Sequence, residues 1–326
     1  ADIDLPLGSG WDNAIDDINV ALWLAQRCPD YEKVHVMGGT YLPNRKPYDL
    51  ILNGSNVEGH EIVTSDPRDV TFHIRPGLEL YGGYYSTSAG VFRNPKKAVT
   101  TLSGNINPTN DEDAYHVVLM IDDVDWQIPN DTTVIDGFYI QGGASSGSFG
   151  DYIEANGREI IKNRGGGIYI NQGINRVKNN TIFANKSNVL GGGVFNVLST
   201  SDIFLNVFEN NTSDIGGGIY NENAIHTQVF GNVFYNNRAN NGGGGSGAYG
   251  GINKYVSNAY IQNKTDGYGG GLEIYNSNGS IINNTFYLDS ANVGGALHIN
   301  NGTIDVTNNI FKKNIQNGLN NIAGAD

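Results

Sequence analysis

The chain of 326 residues has a single cysteine, Cys28, so no disulfide can form within it. A lone thiol with no histidine converging on it reads as packing, not as a nucleophile. No apolar run approaches the ~20 residues that a membrane helix needs. Positive charge is scarce: 20 Lys and Arg against 33 Asp and Glu give a net charge of −13. That balance excludes a nucleic-acid surface and a polybasic membrane patch. With only 9 prolines the sequence is neither collagen-like nor linker-like, and 16% charged with 10% aromatic residues is not a disordered chain or a coiled coil. No signal peptide opens it, which fits a cytosolic protein or the mature form of a secreted one.

Glycine, at 45 residues, is abundant, and asparagine is concentrated after residue 160. These two types most readily take positive φ, as a fold of short strands and sharp turns requires. Their placement is periodic. Glycine clusters open at Gly165, Gly191, Gly216, Gly242, Gly269 and Gly294, at spacings of 25 to 27 residues. An independent Asn-x-[Ile/Phe/Tyr]-x-x-[Asn/Asp] motif leads with Asn180, Asn206, Asn232, Asn258, Asn284 and Asn309, advancing by 26 and finally 25. Within each unit apolar residues alternate, as in Ile168-Tyr-Ile170 and Ile304-Asp-Val306, so each unit holds about three short strands. Three strands in ~26 residues bury nothing alone; stacked, each pairs in parallel with its equivalents above and below. Leucine-rich solenoids and propeller blades have other repeats. The expected fold is all-β, a right-handed parallel β-helix in one domain covering 1–326.

Parity then places Ile182, Phe208, Phe234, Tyr260, Phe286 and Phe311 inward as one ladder, and Phe183, Glu209, Tyr235, Ile261, Tyr287 and Lys312 outward. The leading asparagines hydrogen-bond from coil to coil. Residues 13–27 read as a capping helix, with Asn13 as N-cap, Ile15, Ile18, Leu22 and Ala25 as its apolar stripe and Pro29 as its stop. Irregular front coils span 34–140, with a polar loop at 43–70. A second loop covers 144–163, and regular coils run through 165–314. The polar end, Asn317 to Asp326, predicts continuation into a further C-terminal module.

These residues resemble bacterial secreted and surface β-helix proteins with repeats of the polymorphic outer membrane protein type. Such repeats pair Gly-Gly-[Ala/Gly]-aliphatic with Phe-x-x-Asn. Here they stand as Gly191-Gly-Gly-Val194, Gly216-Gly-Gly-Ile219 and Gly294-Gly-Ala-Leu297, with Phe208-Glu-Asn-Asn211, Phe234-Tyr-Asn-Asn237 and Phe311-Lys-Lys-Asn314. The pattern departs at Tyr260-Ile-Gln-Asn263 and Phe286-Tyr-Leu-Asp289, and the fourth glycine cluster is enlarged from Gly242 to Gly251. The resemblance implies export to the bacterial envelope or beyond, with the signal peptide removed, and adhesion or glycan contact. The same superfold hosts pectate lyases and polygalacturonases, so a polysaccharide lyase or glycoside hydrolase is the alternative.

One surface feature invites a ligand. The residues following the Gly-cluster aliphatic, Tyr169, Phe195, Tyr220, Tyr249, Glu273 and His298, are expected as an outward column. Aromatic faces at rung spacing can stack on sugar rings while Glu273 and His298 hydrogen-bond to hydroxyls; Tyr and Phe also favour strand surfaces with no ligand at all. The expected partner is thus a polysaccharide, or a cell-surface glycan or protein. No catalytic set is legible. Asp202, Asp214, Glu222, Asp266, Glu273 and Asp305 fall at different phases of the coil, so no pair of carboxylates faces one groove. The runs Asp111, Glu112, Asp113 and Asp122, Asp123, Asp125 lack the spacing of a calcium loop, and the six histidines lack metal-ligand spacing. Arg158, Lys162, Arg164, Arg176 and Lys178 form the only basic concentration, near the second loop.

Overall fold

The computed structural model describes residues 10–28, 30–53, 56–107, 112–122 and 132–316; Pro29, Asp111, Asp123, Asp125 and the end from Asn317 lie outside them. It is a right-handed parallel β-helix. Among the described residues, four parallel sheets run along its length. Sheet one (Ile168–Asn171 and equivalents) has eight strands, sheet two (Ile174–Lys178) nine with Gly90–Arg93 added antiparallel as a tenth, sheet three (Thr181–Phe183) nine and sheet four (Lys186–Ser187) seven. The coil thus carries a fourth, very short strand beyond the three that alternation reveals, because two residues are too few to show a period.

Register is exact along the core. Ile182, Phe208, Phe234, Tyr260, Phe286 and Phe311 pair in succession. The rings from Phe208 to Phe286 are stacked 4.6 to 4.8 Å apart, within 8° of parallel. Each fully buried ring contributes ~1.5–3 kcal/mol of burial, and each stacked pair ~0.5–1.5 more. Glycine marks the turn into sheet one because nothing larger fits. Gly216 has φ +69°, and a β-carbon on Gly217 or Gly218 would stand 2.4 or 2.5 Å from a carbonyl oxygen of the next coil.

The asparagines form two ladders, at the corners flanking sheet three. In each central rung the amide is fully used: Asn206 Oδ1 accepts from the backbone N–H and the Nδ2 of Asn180, while its own Nδ2 donates to Val177 O and Asn232 Oδ1. Asn185, Asn211, Asn237 and Asn263 repeat this at the second corner. Asp289 takes the next rung. Its Oδ1 accepts from Asn263 N and Nδ2 at 2.8 and 3.0 Å, but its Oδ2, where other rungs hold NH2, is buried with no partner. Burial raises this carboxyl well above the usual range, although hydrogen bonds from Asn263 pull the other way. The unfolded chain therefore loses this proton first as pH rises past 3.8, and stability falls through that window. Asp289→Asn should restore the NH2 and raise the denaturant midpoint at pH 7, with little change at pH 3.5; equal gains at both pH values would refute a protonated rung.

The cap helix is Ile18–Arg27, shorter than expected. Asp17, not Asn13, caps it, accepting from Asn19 N at 2.8 Å. Asn13 instead belongs to a separate 3-10 turn, Trp11–Asn13. Ile18, Leu22 and Ala25 join the core. At the other end buried Arg75 donates to Ala25 O at 2.7 Å, and Gln26 donates to His73 O. Cys28 is exposed just past the helix, which corrects its reading as a packed residue.

Both supposed loops are folded. The first insertion carries the antiparallel hairpin Tyr48–Asn53 with Asn56–Glu61, and the second carries Tyr152–Ala155 with Arg158–Ile161. They are tied together: Asn156 N donates to Asp49 Oδ1 at 2.7 Å, and Lys162 Nζ stands 2.8 Å from Asp69 Oδ1 and 3.4 Å from Asp66 Oδ2.

Candidate functional site

The second insertion lies over the outer face of sheet one and remakes the expected column. Tyr169, Phe195 and Tyr220 do point away from the coil axis, as parity requires, but they are buried, at 1%, 0% and 8% exposure. With Leu119, Ile121, Ala155, Ile160 and Leu190 they make a second hydrophobic core. The Tyr169 hydroxyl donates to Glu159 O and accepts from Ile161 N, both in the hairpin, and burial pushes it up to about 12. Arg164 closes the edge, 5.3 Å over the Phe195 ring and 2.6 Å from Glu222 Oε2. These three aromatic residues are therefore packing, and the column is not a continuous sugar platform.

Tyr249 is not in the column. The register runs Tyr169, Phe195, Tyr220, Gly247, Glu273, His298. The fourth glycine cluster has an extra residue, and Ser246 fills the place that an aliphatic holds elsewhere, so counting from Ala248 shifts the frame by two. Counting from the last glycine of the cluster, Gly245, would have found Gly247. Tyr249 pairs with Glu222 and Tyr275 at the end of the strand.

The enlarged cluster shapes what remains open. A β-carbon on Gly247 would stand 2.9 Å from Tyr220 Cδ2, so that ring leans over the glycine. A β-carbon on Gly242 would stand 1.7 Å from Glu273 Oε2; the carboxylate rests on a bare backbone. Burial, then Glu222 and Glu273, raise the Tyr220 hydroxyl. Glu273 Oε1 is 3.8 Å from His298 Nδ1, and the His298 ring lies 4.7 Å from that of Tyr268. Alongside, Tyr249 and Tyr275 stack 5.7 Å apart at 15°, both exposed. Beyond the hairpin, then, sheet one presents three exposed tyrosines around a histidine and a carboxylate. Tyr268 and Tyr275 escaped sequence reasoning because each sits one place outside the repeat positions followed there.

The candidate charges elsewhere are spent on one another. Glu222 binds Arg164 and Glu273 rests on Gly242 beside His298, so each carboxylate already has its own neighbour on either side of the Tyr220 hydroxyl. Of the basic concentration, Lys162 meets Asp66 and Asp69, Arg176 meets Asp202, and Lys178 meets Asp136. Where the insertions meet, Lys162, Asp66 and Asp69 are joined by Tyr115, whose hydroxyl donates to Asp66, and by Arg68, 4.0 Å over the Tyr115 ring. Among the described residues no group of three or more His, Cys, Asp or Glu side chains is placed to hold a metal ion, and no helix is long and apolar enough to cross a membrane. No protein-family model, curated protein or solved structure matches the chain.

Proposed function

We propose that this is an exported surface β-helix that binds glycan without cleaving it, through the uncovered part of sheet one. The observation that carries the reading is the exposed Tyr249–Tyr275 pair beside Glu273 and His298. Aromatic surface supplies apolar contact for pyranose C–H faces, and a carboxylate and an imidazole supply hydrogen bonds to hydroxyls. Export is supported by the Gly-Gly-[Ala/Gly]-aliphatic and Phe-x-x-Asn repeats, with their resemblance to the polymorphic outer membrane protein type. A second reading, a polysaccharide lyase or glycoside hydrolase beside the insertions, is favoured by the meeting of Asp66, Asp69, Lys162 and Tyr115. Against it, the cations and carboxylates there already neutralise each other.

A glycan array with a polymer-degradation screen, run with and without calcium, separates the two. Retention of a glycan is expected, weakened about tenfold by Tyr275→Ala and by Glu273→Gln with the melting temperature unchanged, as loss of one stacking or charged contact implies. Product release from any polymer would overturn the non-catalytic reading.

A further inference from the structure

Sheet two carries a surface that neither the insertions nor the glycan reading uses. Its outward side chains fall in columns. The fifth strand position reads Lys178, Phe204, Phe230, Val256, Ile282, Thr307 in successive coils, and the third reads Arg176, Asp202, Gln228, Lys254, Ser280, Asp305. Phe204 and Phe230 are stacked 4.7 Å apart at 4°, and the Phe230 ring is 37% exposed. Four apolar residues, Phe230 exposed and Phe204, Val256 and Ile282 half-buried, thus form a stripe whose centre lies between Phe230 and Val256.

We propose that this face binds a second copy of the chain, antiparallel, about a two-fold axis lying along the strands between Phe230 and Val256. That operation puts Phe230 opposite the partner's Val256 and Phe204 opposite the partner's Ile282, so the stripe covers itself. The charged column is self-complementary under the same rotation. Arg176, which stands 3.7 Å from Asp202 of its own chain, also meets the partner's Asp305, while Gln228 meets the partner's Lys254 and Asp202 the partner's Ser280. A two-fold along the long axis would instead set Arg176 against Arg176, Asp202 against Asp202 and Lys254 against Lys254, which like-charge repulsion disfavours. The hairpin Glu79–Thr87 with Gly90–Arg93 rises from the same sheet. It lies two coils before the Ile174–Lys178 strand, outside the six coils that this pairing uses.

Six strands of about five residues offer roughly 450 Å² per chain at ~4.8 Å between strands and ~3.3 Å per residue. A total near 900 Å² is below the usual span of stable interfaces, so the dimer is a weak one that forms only at high protein concentration. Sedimentation velocity over two decades of concentration tests this. The 35.1 kDa monomer should give way to a dimer as concentration rises, and Phe230→Glu should weaken association at least tenfold. Arg176→Asp and Asp305→Arg should each weaken it, and the two together should restore it, because the swapped pair meets again across the axis. Thermal melting verifies that each variant is folded. A monomer at every concentration, a dimer indifferent to Phe230→Glu, or a double swap no better than the singles would overturn the arrangement.

Discussion

Lowering the pH from 7 to 4.5 is expected to withdraw roughly 5 kcal/mol of stability through two buried histidines, half of it from His73 and half from His116. Both are fully enclosed, in a molecule whose two clasped insertions cover the front coils. His73 Nδ1 accepts from Tyr48 N at 3.2 Å, so it must be unprotonated, and Nε2 has no partner. Burial pushes its pKa down from 6.5 to about 3. His116 Nδ1 lies 2.9 Å from Gly165 O, which can only accept, so that nitrogen carries the single proton. Burial pushes it down to about 4. Since both folded values are depressed, the unfolded chain takes up protons near 6.5 while the native state refuses them. Stability is complete above 6.5 and is lost as the pH falls toward 4. At about 1.36 kcal/mol per pH unit, two units below 6.5 cost roughly 2–3 kcal/mol for each histidine. That is a large share of a typical 5–15 kcal/mol. Denaturant melts across this range check it. His73→Gln, which keeps an acceptor for Tyr48 N, and His116→Gln should each flatten the profile. Measured in the Asp289→Asn background, which removes the opposing carboxyl, a midpoint constant from pH 7 to 4.5 would refute it. Asp289 works in the opposite sense, and the depressed carboxyls of Asp17 and Asp66 respond only nearer pH 3.8 and below.

The second large effect belongs to the middle of an amide ladder. Asn237 Oδ1 accepts from Asn211 N and Nδ2, both at 3.0 Å; its Nδ2 donates to Phe208 O at 2.8 Å and to Asn263 Oδ1 at 3.0 Å. Asn237→Ala leaves the Asn211 backbone N–H and one hydrogen of its amide buried with nothing to bind, and takes one donor from Phe208 O. At ~1–3 kcal/mol for each of these two stranded donors the loss is about 2–6 kcal/mol. Asn309→Ala, on the last rung and partly exposed, has water to replace its partners and should cost about 1 kcal/mol. Chemical denaturation of the two variants gives the comparison. Equal losses at both ends of the ladder would show that amide pairing is not what holds the corner.

Much of the fold was legible because a solenoid writes its geometry as repetition. Phe208, Phe234 and Phe286 superpose because one residue type at one phase can do little else in a parallel stack. The site was less legible, for a physical reason. Parity tells which way Tyr169 and Phe195 leave the strand; it does not tell what chain elsewhere comes to lie on them. Ile153, Ile160 and Ile161, which pack over those rings, sit in a segment with no repeat to align and enough polar residues to look like a solvated loop. Tyr249 failed differently: one additional glycine and a serine in an aliphatic place moved the frame, and the column was counted through it. The antiparallel hairpin Tyr48–Asn53 with Asn56–Glu61 was missed because its local alternation is broken by Asp, Glu and Gly.

Both insertions and the extra glycine near Gly242 depart from the coil at the same corner, between sheet three and sheet one. There the pairing of Thr212–Ile215 with Arg238–Gly242 slips by a residue without disturbing the amide rungs on either side. That corner is a tolerance joint. Foreign sequence spliced into it can grow or shrink while the rest of the spool keeps its thread, and whatever is added drapes over the one wall where sugars are proposed to land.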